Sequence, residues 1–251
     1  MNWALANIWT ITKRELRAYF ESPVAYVFLF IFLLLVGFFT FMLGFFFERG
    51  QASLKESFFN WHPWLYLILI PAVGMRLWSE ERRLGTIELL LTMPVTAWQA
   101  IMGKFLASWT FLAAALLLTF PIVITVNYLG NPDNGLILAS YFGSWLLAGA
   151  YLSIASMTSA MSRNQVVSFI VSVVLCFFLF IIGFPPVTGF LSNVLGFSPA
   201  MVDLVAAFSM WTHFEGFAKG VVDSRDLIFF LSVIAFSLFT TGVIIRSHRA
   251  G

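Results

Sequence analysis

Charge is what this chain has least of. Only 10% of its 251 residues are Asp, Glu, Lys or Arg, and six stretches contain none at all: residues 23–47, 57–75, 105–132, 134–162, 164–202 and 227–245. A water-soluble domain is excluded, because a chain with 60% apolar residues and 30 phenylalanines would expose large greasy patches that lipid solvates without penalty. One cysteine, Cys176, rules out a disulfide framework. The three histidines are scattered and no H-E-x-x-H run occurs, so no metal site is expected. No G-x-x-x-x-G-K-[ST] loop is present, so the chain lacks that cradle for nucleotide phosphates and is not expected to be an enzyme. The charge-free stretches offer no proton relay or ion pair for ion-coupled transport, and their hydroxyls have no base to activate them for intramembrane catalysis.

What is present is hydrophobic length. About 20 apolar residues at helical rise cross a hydrocarbon core roughly 30 Å thick, and the six stretches each meet that requirement. The expected fold is an all-α polytopic membrane protein, a single transmembrane domain over residues 1–251, with helices at 24–47, 61–79, 98–128, 136–161, 165–184 and 226–245. With the N-terminus in the cytoplasm, Lys13, Arg14, Arg17, Arg76, Arg82, Arg83, Lys104, Arg163, Arg246 and Arg249 fall inside, and only Arg49, Lys55, Lys219 and Arg225 outside. That positive-inside bias places both termini in the cytoplasm. The apolar run after the basic segment 13–17 is too long for a signal-peptide core and no small-residue cleavage pattern follows it, so no cleaved leader is expected.

Local patterns refine this outline. Leu5, Ile8, Trp9, Thr12, Leu16, Tyr19 and Phe20 recur at helical spacing opposite Asn7, Thr10, Arg14, Arg17 and Glu21, which predicts an amphipathic interfacial helix over 3–21 carrying Lys13, Arg14 and Arg17. The plainer alternative is a basic flank that only sets topology. Ser22-Pro23 breaks that helix and starts the first span. His62 reads as an interfacial residue in an aromatic belt with Trp61 and Trp64. Thr96 and Gln99 have the spacing of a capping box, Lys104 is placed to snorkel from the inner interface, and Pro121 kinks the third span. The fourth span is rich in Gly, Ala and Ser, the composition that lets membrane helices approach closely. Between residues 187 and 220, proline and glycine divide an apolar segment into two short helices, one starting at Ser198-Pro199 and one from Trp211 to Lys219, read as an outer re-entrant pair.

The longest internal cytoplasmic connection runs from Arg76 to Val95 and concentrates charge. Gly85 stops the helix leaving the second span, Thr86 caps a new short helix, Glu88 favours its first turn and Pro94 ends it. Ile87, Leu89, Leu90 and Leu91 would then face the cytosol, where large apolar side chains need a partner to cover them. The alternative is a helix lying flat on the headgroups, with Arg82 and Arg83 on anionic lipid.

Residues 80–94, Glu-Glu-Arg-Arg-Leu-Gly-Thr-Ile-Glu-Leu-Leu-Leu-Thr-Met-Pro, followed by Gly103-Lys104, resemble the signature of type-2 ABC exporter permeases. The resemblance extends over the whole chain, and residues 213–226 are similar to the gliding-motility-associated GldF-like branch. It implies a multi-pass subunit in the bacterial inner membrane whose coupling helix, 85–93, docks on a separate ABC ATPase through Arg82, Arg83, Gly85, Thr86, Ile87, Glu88, Leu89, Leu90, Leu91 and Met93. ATP and Mg would bind the ATPase, and this chain would hold no cofactor. Other implied partners are membrane lipid and a second permease copy or a related subunit; no nucleic acid is expected. Asp203, Glu215, Lys219 and Asp226 are candidates for an outer gate, or ordinary solvated loop charges. The expected function is movement of an amphipathic or lipid-linked substrate across the membrane. The alternative is a subunit that relays ATPase-driven motion to a periplasmic or motility partner.

Overall fold

The computed structural model describes residues 2–85 and 95–247, which form helices joined by short turns, with no strand among the described residues. Helix α1 (Asn2–Glu21) ends where Ser22 turns extended and caps α2 (Pro23–Phe38), its Oγ accepting from Val24 N at 3.3 Å. Proline is well placed there, because its missing N–H is one the first turn would leave unpaired. A π-turn, Phe39–Leu43, extends α2. The loop that follows turns Leu54, Phe58 and Phe59 into the bundle, where all three are buried.

The stretch expected to form a single second span is two helices, α3 (His62–Gly74) and α4 (Arg76–Leu84), of 13 and 9 residues, each too short to cross alone. Helix α5 (Ala97–Leu117) starts on the expected capping box: Thr96 N donates to Gln99 Oε1 at 3.0 Å, and Gln99 N to Thr96 Oγ1 at 3.3 Å. A turn before Pro121 separates α5 from α6 (Pro121–Leu129). Asp133 caps α7 (Asn134–Met161), and Asn164 caps α8 (Gln165–Ile181). Three short helices then replace the two expected: α9 (Pro185–Asn193), α10 (Pro199–Ala206) and α11 (Met210–Ala218). The additional one uses Pro185 as its first residue, a start that the Pro185-Pro186 pair had concealed behind its helix-breaking reputation. The last helix is α12 (Ser224–Ser247).

Among the described residues, four helical stretches are long and apolar enough to cross a membrane: Pro23–Leu43, Ala97–Leu129, Asn134–Met161 and Ser224–Ser247. A fifth is added if α8 and α9, bent by 63° at their junction, form one broken span. The chain is therefore an all-helical, multi-pass membrane protein.

Helix α7 is the axis of the bundle. Within its most apolar window 78% of residues are buried, against 22% for the α2 stretch, and α3, α4, α5, α8, α11 and α12 all pack on it. Its small residues explain this, because close backbone approach is the main source of helix association where lipid competes on equal terms for apolar surface. The tightest crossing is Gly74 on α3 against Ala155: a Cβ at Gly74 would lie 2.3 Å from the Ala155 Cβ. His62 corrects the interfacial reading. It is fully buried, its Nδ1 2.8 Å from Ser144 Oγ on α7, with its ring between Phe58, Phe59 and Tyr66.

Gly74→Val should force α3 off α7 and destabilise the protein by about 1–3 kcal/mol, read as a lower melting temperature in detergent, with Ala155→Gly restoring part of the loss. An unchanged melting temperature in Gly74→Val would contradict this packing.

Candidate functional site

The junction of α3 and α4 presents a backbone problem. Met75, at the N-cap of α4, has no side-chain oxygen to receive the first amides of that helix. Ser159 of α7 supplies it from across the bundle, its Oγ accepting from Trp78 N and Ser79 N, each at 3.0 Å, and donating to Met75 O at 2.8 Å. One turn earlier on α7, Ser156 Oγ accepts from the Trp78 indole at 3.0 Å. At the far end of α4, Arg82 Nη1 donates to Ala160 O at 2.5 Å. Helix α4 is thus bonded to the end of α7 at its first turn and again at Arg82. Gly85 then closes it in the left-handed conformation, φ 70°, which glycine adopts without steric cost.

The opposite side of α4 meets a charge cluster. Lys104, expected to snorkel, is instead buried, with 7% of its surface exposed. Its Nζ is 2.8 Å from Glu81 Oε1 on α4, 3.8 Å from Glu15 Oε2 on α1, and 5.4 Å from the centre of the Trp78 ring. The reason is α1, which occupies the space into which the side chain would have snorkelled. That helix runs parallel to the first half of α5: Asn7 Nδ2 donates to Gln99 Oε1 at 3.5 Å, Thr12 Oγ1 donates to Gly103 O at 3.3 Å, and the Tyr19 and Ser108 hydroxyls are 2.9 Å apart. The expected apolar arc of α1 therefore splits. Ile8, Thr12, Leu16 and Tyr19 are turned at least partly away from solvent, while Leu5, Trp9 and Phe20 stay exposed. Lys13, Arg14 and Arg17 are exposed too, Arg14 paired with Glu15 at 2.7 Å and Arg17 with Glu21 at 2.8 Å.

Between α1 and α2 on one side and α3 and α4 on the other lies a cavity of about 540 Å³. Its lining includes the charged Glu15, Arg76, Glu80, Glu81 and Lys104 and the apolar Val24, Val27, Phe28, Ile31, Leu69 and Val73. The absence of charge from the spans had pointed away from a buried ion pair, yet Lys104 and Glu81 form one. The signal was present: a lone lysine inside an otherwise apolar helix needs an anion within reach.

Of the remaining candidates, Arg82, Arg83 and Gly85 lead into the connection, whereas Thr86, Ile87, Glu88, Leu89, Leu90, Leu91 and Met93 lie outside the described residues. The outer candidates form no single cluster, although the Asp226 carboxylate lies beside Gly216, next to Glu215 in the chain. Asp203 is exposed on α10, Glu215 pairs with Lys219 at 2.7 Å, and Asp226 Oδ1 is 2.7 Å from His213 Nδ1. His213 was not among the expected outer residues, although it opens the same run as Glu215 and Lys219; its Nε2 also lies 3.0 Å from Ala207 O. Among the described residues no three His, Cys, Asp or Glu side chains form a metal-binding group.

A family model described as "ABC-2 family transporter protein" matches residues 64–244, most of the chain from the first turn of α3 to the last turn of α12. Comparison with curated proteins finds no match.

Lys104→Met removes the cation that Glu81 and Glu15 share, and removal of one partner of a buried pair costs on the order of 3–5 kcal/mol. Adding Glu81→Gln to Lys104→Met should recover more than half of the loss in a thermal-unfolding cycle in detergent. Additive effects of the two changes would show that Lys104 and Glu81 are not coupled.

Proposed function

The chain belongs to the ABC-2 transporter family, as a membrane-spanning permease subunit that works with an ABC ATPase, and from that premise we propose that residues 86–94 are the contact through which the ATPase drives it. The observation that carries this reading is the mounting of the segment. Before it, α4 is bonded to α7 through Ser159, Ser156 and Ala160; after it, the Thr96–Gln99 box starts α5, and Gln99 is bonded to α1. A push on 86–94 would reach the central helix through one end and the α1–α5 pair through the other. Arg82, Arg83 and Gly85 belong to the mount, and the apolar side chains of Ile87, Leu89, Leu90, Leu91 and Met93 to the surface that docks.

In this reading α3 and α4 together make the second of six crossings. The break at Met75 is tolerable because protein, rather than hydrocarbon, meets it. The basic residues then put both termini and the 86–94 segment in the cytoplasm, α9, α10 and α11 at the outer side, and the chain in the inner membrane as one of two permease subunits. The run 213–226 supports placement near the gliding-motility-associated branch.

The substrate is an amphipathic or lipid-linked molecule. A subunit that only relayed force to a periplasmic partner would need no chamber, and the cavity beside α4, with its charged and apolar parts, is what favours transport. Movement of α4 with the docked segment would change that cavity's width directly, because Arg76, Glu80 and Glu81 lie on α4.

Glu88→Arg combined with Leu90→Asp should weaken ATPase binding on the order of tenfold or more, as loss of an interface anchor does, while membrane insertion is unchanged. Co-purification and ATP turnover at the level of the unaltered complex would contradict the docking role.

A further inference from the structure

Resting on that transport reading, we propose that the cavity beside α4 takes a zwitterionic headgroup bearing a primary amine and a phosphate, that of a phosphoethanolamine lipid. The charges set the class. Three carboxylates line the cavity, Glu15, Glu80 and Glu81, with two cations, Arg76 and Lys104. Arg14, 2.7 Å from Glu15, completes a balance of three against three. A ligand carrying net charge would leave one sign without a partner in a site shielded on several sides by helices. A ligand carrying both signs leaves the balance intact.

The pairs differ in how readily they open. Lys104 and Glu81 are 2.8 Å apart under the Trp78 ring and stay closed. Arg76 and Glu80 are 3.3 Å apart and half-exposed, and Glu15 stands 3.8 Å from Lys104. Arg76 can therefore turn its guanidinium fork to a phosphate, and the carboxylate of Glu80 it releases accepts from the ammonium. A primary ammonium has three protons to donate to Glu80 and Glu15; a trimethylated one has none. Nor is there an open aromatic box for a trimethylammonium, since the rings lining the cavity pack on one another, Tyr19 on Phe111 at 5.0 Å and Phe28 on Phe111 at 5.5 Å.

The volume fixes how much of the lipid enters. About 540 Å³ lies in the range of sites for small molecules, enough for a headgroup and the glycerol but less than a whole two-chain lipid. The acyl chains leave along α2, where Val24, Val27 and Ile31 line the cavity and are also exposed on the outer surface of the bundle. A pyrophosphate-linked lipid, by contrast, brings more than one negative charge to a cavity already lined by three carboxylates.

The test is native mass spectrometry of the full-length chain, alone and in its complex with the ATPase, equilibrated with phosphatidylethanolamine, phosphatidylcholine or phosphatidylglycerol. Phosphatidylethanolamine should be retained about tenfold more tightly than either of the others, and Arg76→Gln with Glu80→Gln should abolish the preference without changing the melting temperature. Equal retention of the three lipids, preference for the anionic one, or a preference that survives the double substitution would overturn the assignment. So would retention by the monomer that disappears on dimerisation, because a second copy would then cover the cavity. Binding by the isolated chain needs no ATPase. Loss of lipid preference with coupling intact sinks this inference alone, and failed coupling with the preference intact sinks the ATPase-docking reading instead.

Discussion

A helix that stops inside a membrane protein must find partners for its end amides, and at Met75 that requirement falls on one hydroxyl. Ser159 takes two amides of the first turn of α4, those of Trp78 and Ser79, and returns its own proton to the Met75 carbonyl. In hydrocarbon each unsatisfied group would cost several kcal/mol, so the break exists only because α7 stands beside it. A break secured in this way has a consequence for motion. Helix α4 can be mounted at an angle of its own while remaining bonded to the central helix, and whatever moves α4 moves against α7.

The same dependence explains the composition of α7. A serine can serve a neighbour's backbone only if the two helices nearly touch, and the Gly74–Ala155 contact is what brings α3 that close. Large side chains at either position would separate the helices and leave the hydroxyl out of reach. The small residues and the polar ones on α7 are therefore one device, closeness and hydrogen bonding together. The charge cluster repeats the logic in another form: Lys104 can be buried because Glu81 arrives from α4 and Glu15 from α1. Three helices that meet at the same end of the bundle are held there by directional bonds, with the amphipathic cavity in the gap between them.

Much of this was legible in the residues. Lipid imposes length and apolarity, so four helices long and apolar enough to cross appear near where composition put the first, third, fourth and last stretches, and local capping chemistry placed the starts at Pro23 and Ala97 to within a residue or two. What could not be read depends on neighbours distant in sequence. Nothing around His62 states that Ser144 will meet it, and nothing near Lys104 names Glu15, 89 residues earlier. The break at Met75 was hidden for the same reason, since Arg76 to Leu84 looks helical and continuous with α3 until the Ser159 contact is known. The helix that begins at Pro185 was not foreseen, because proline can mark either a stop or a start and the two roles differ only in whether a free N–H is needed at that position.

The central claim is that a cytosolic ATPase covers the apolar segment between α4 and α5. Cys176 is the one cysteine in the chain and is fully buried, so Leu90→Cys would introduce the accessible thiol for a photo-activated cross-linker in the assembled complex. The account predicts a covalent adduct between position 90 and the ATPase, strengthened or lost as nucleotide closes the ATPase pair. Adducts with lipid alone, in a preparation where the ATPase is present and active, would contradict it.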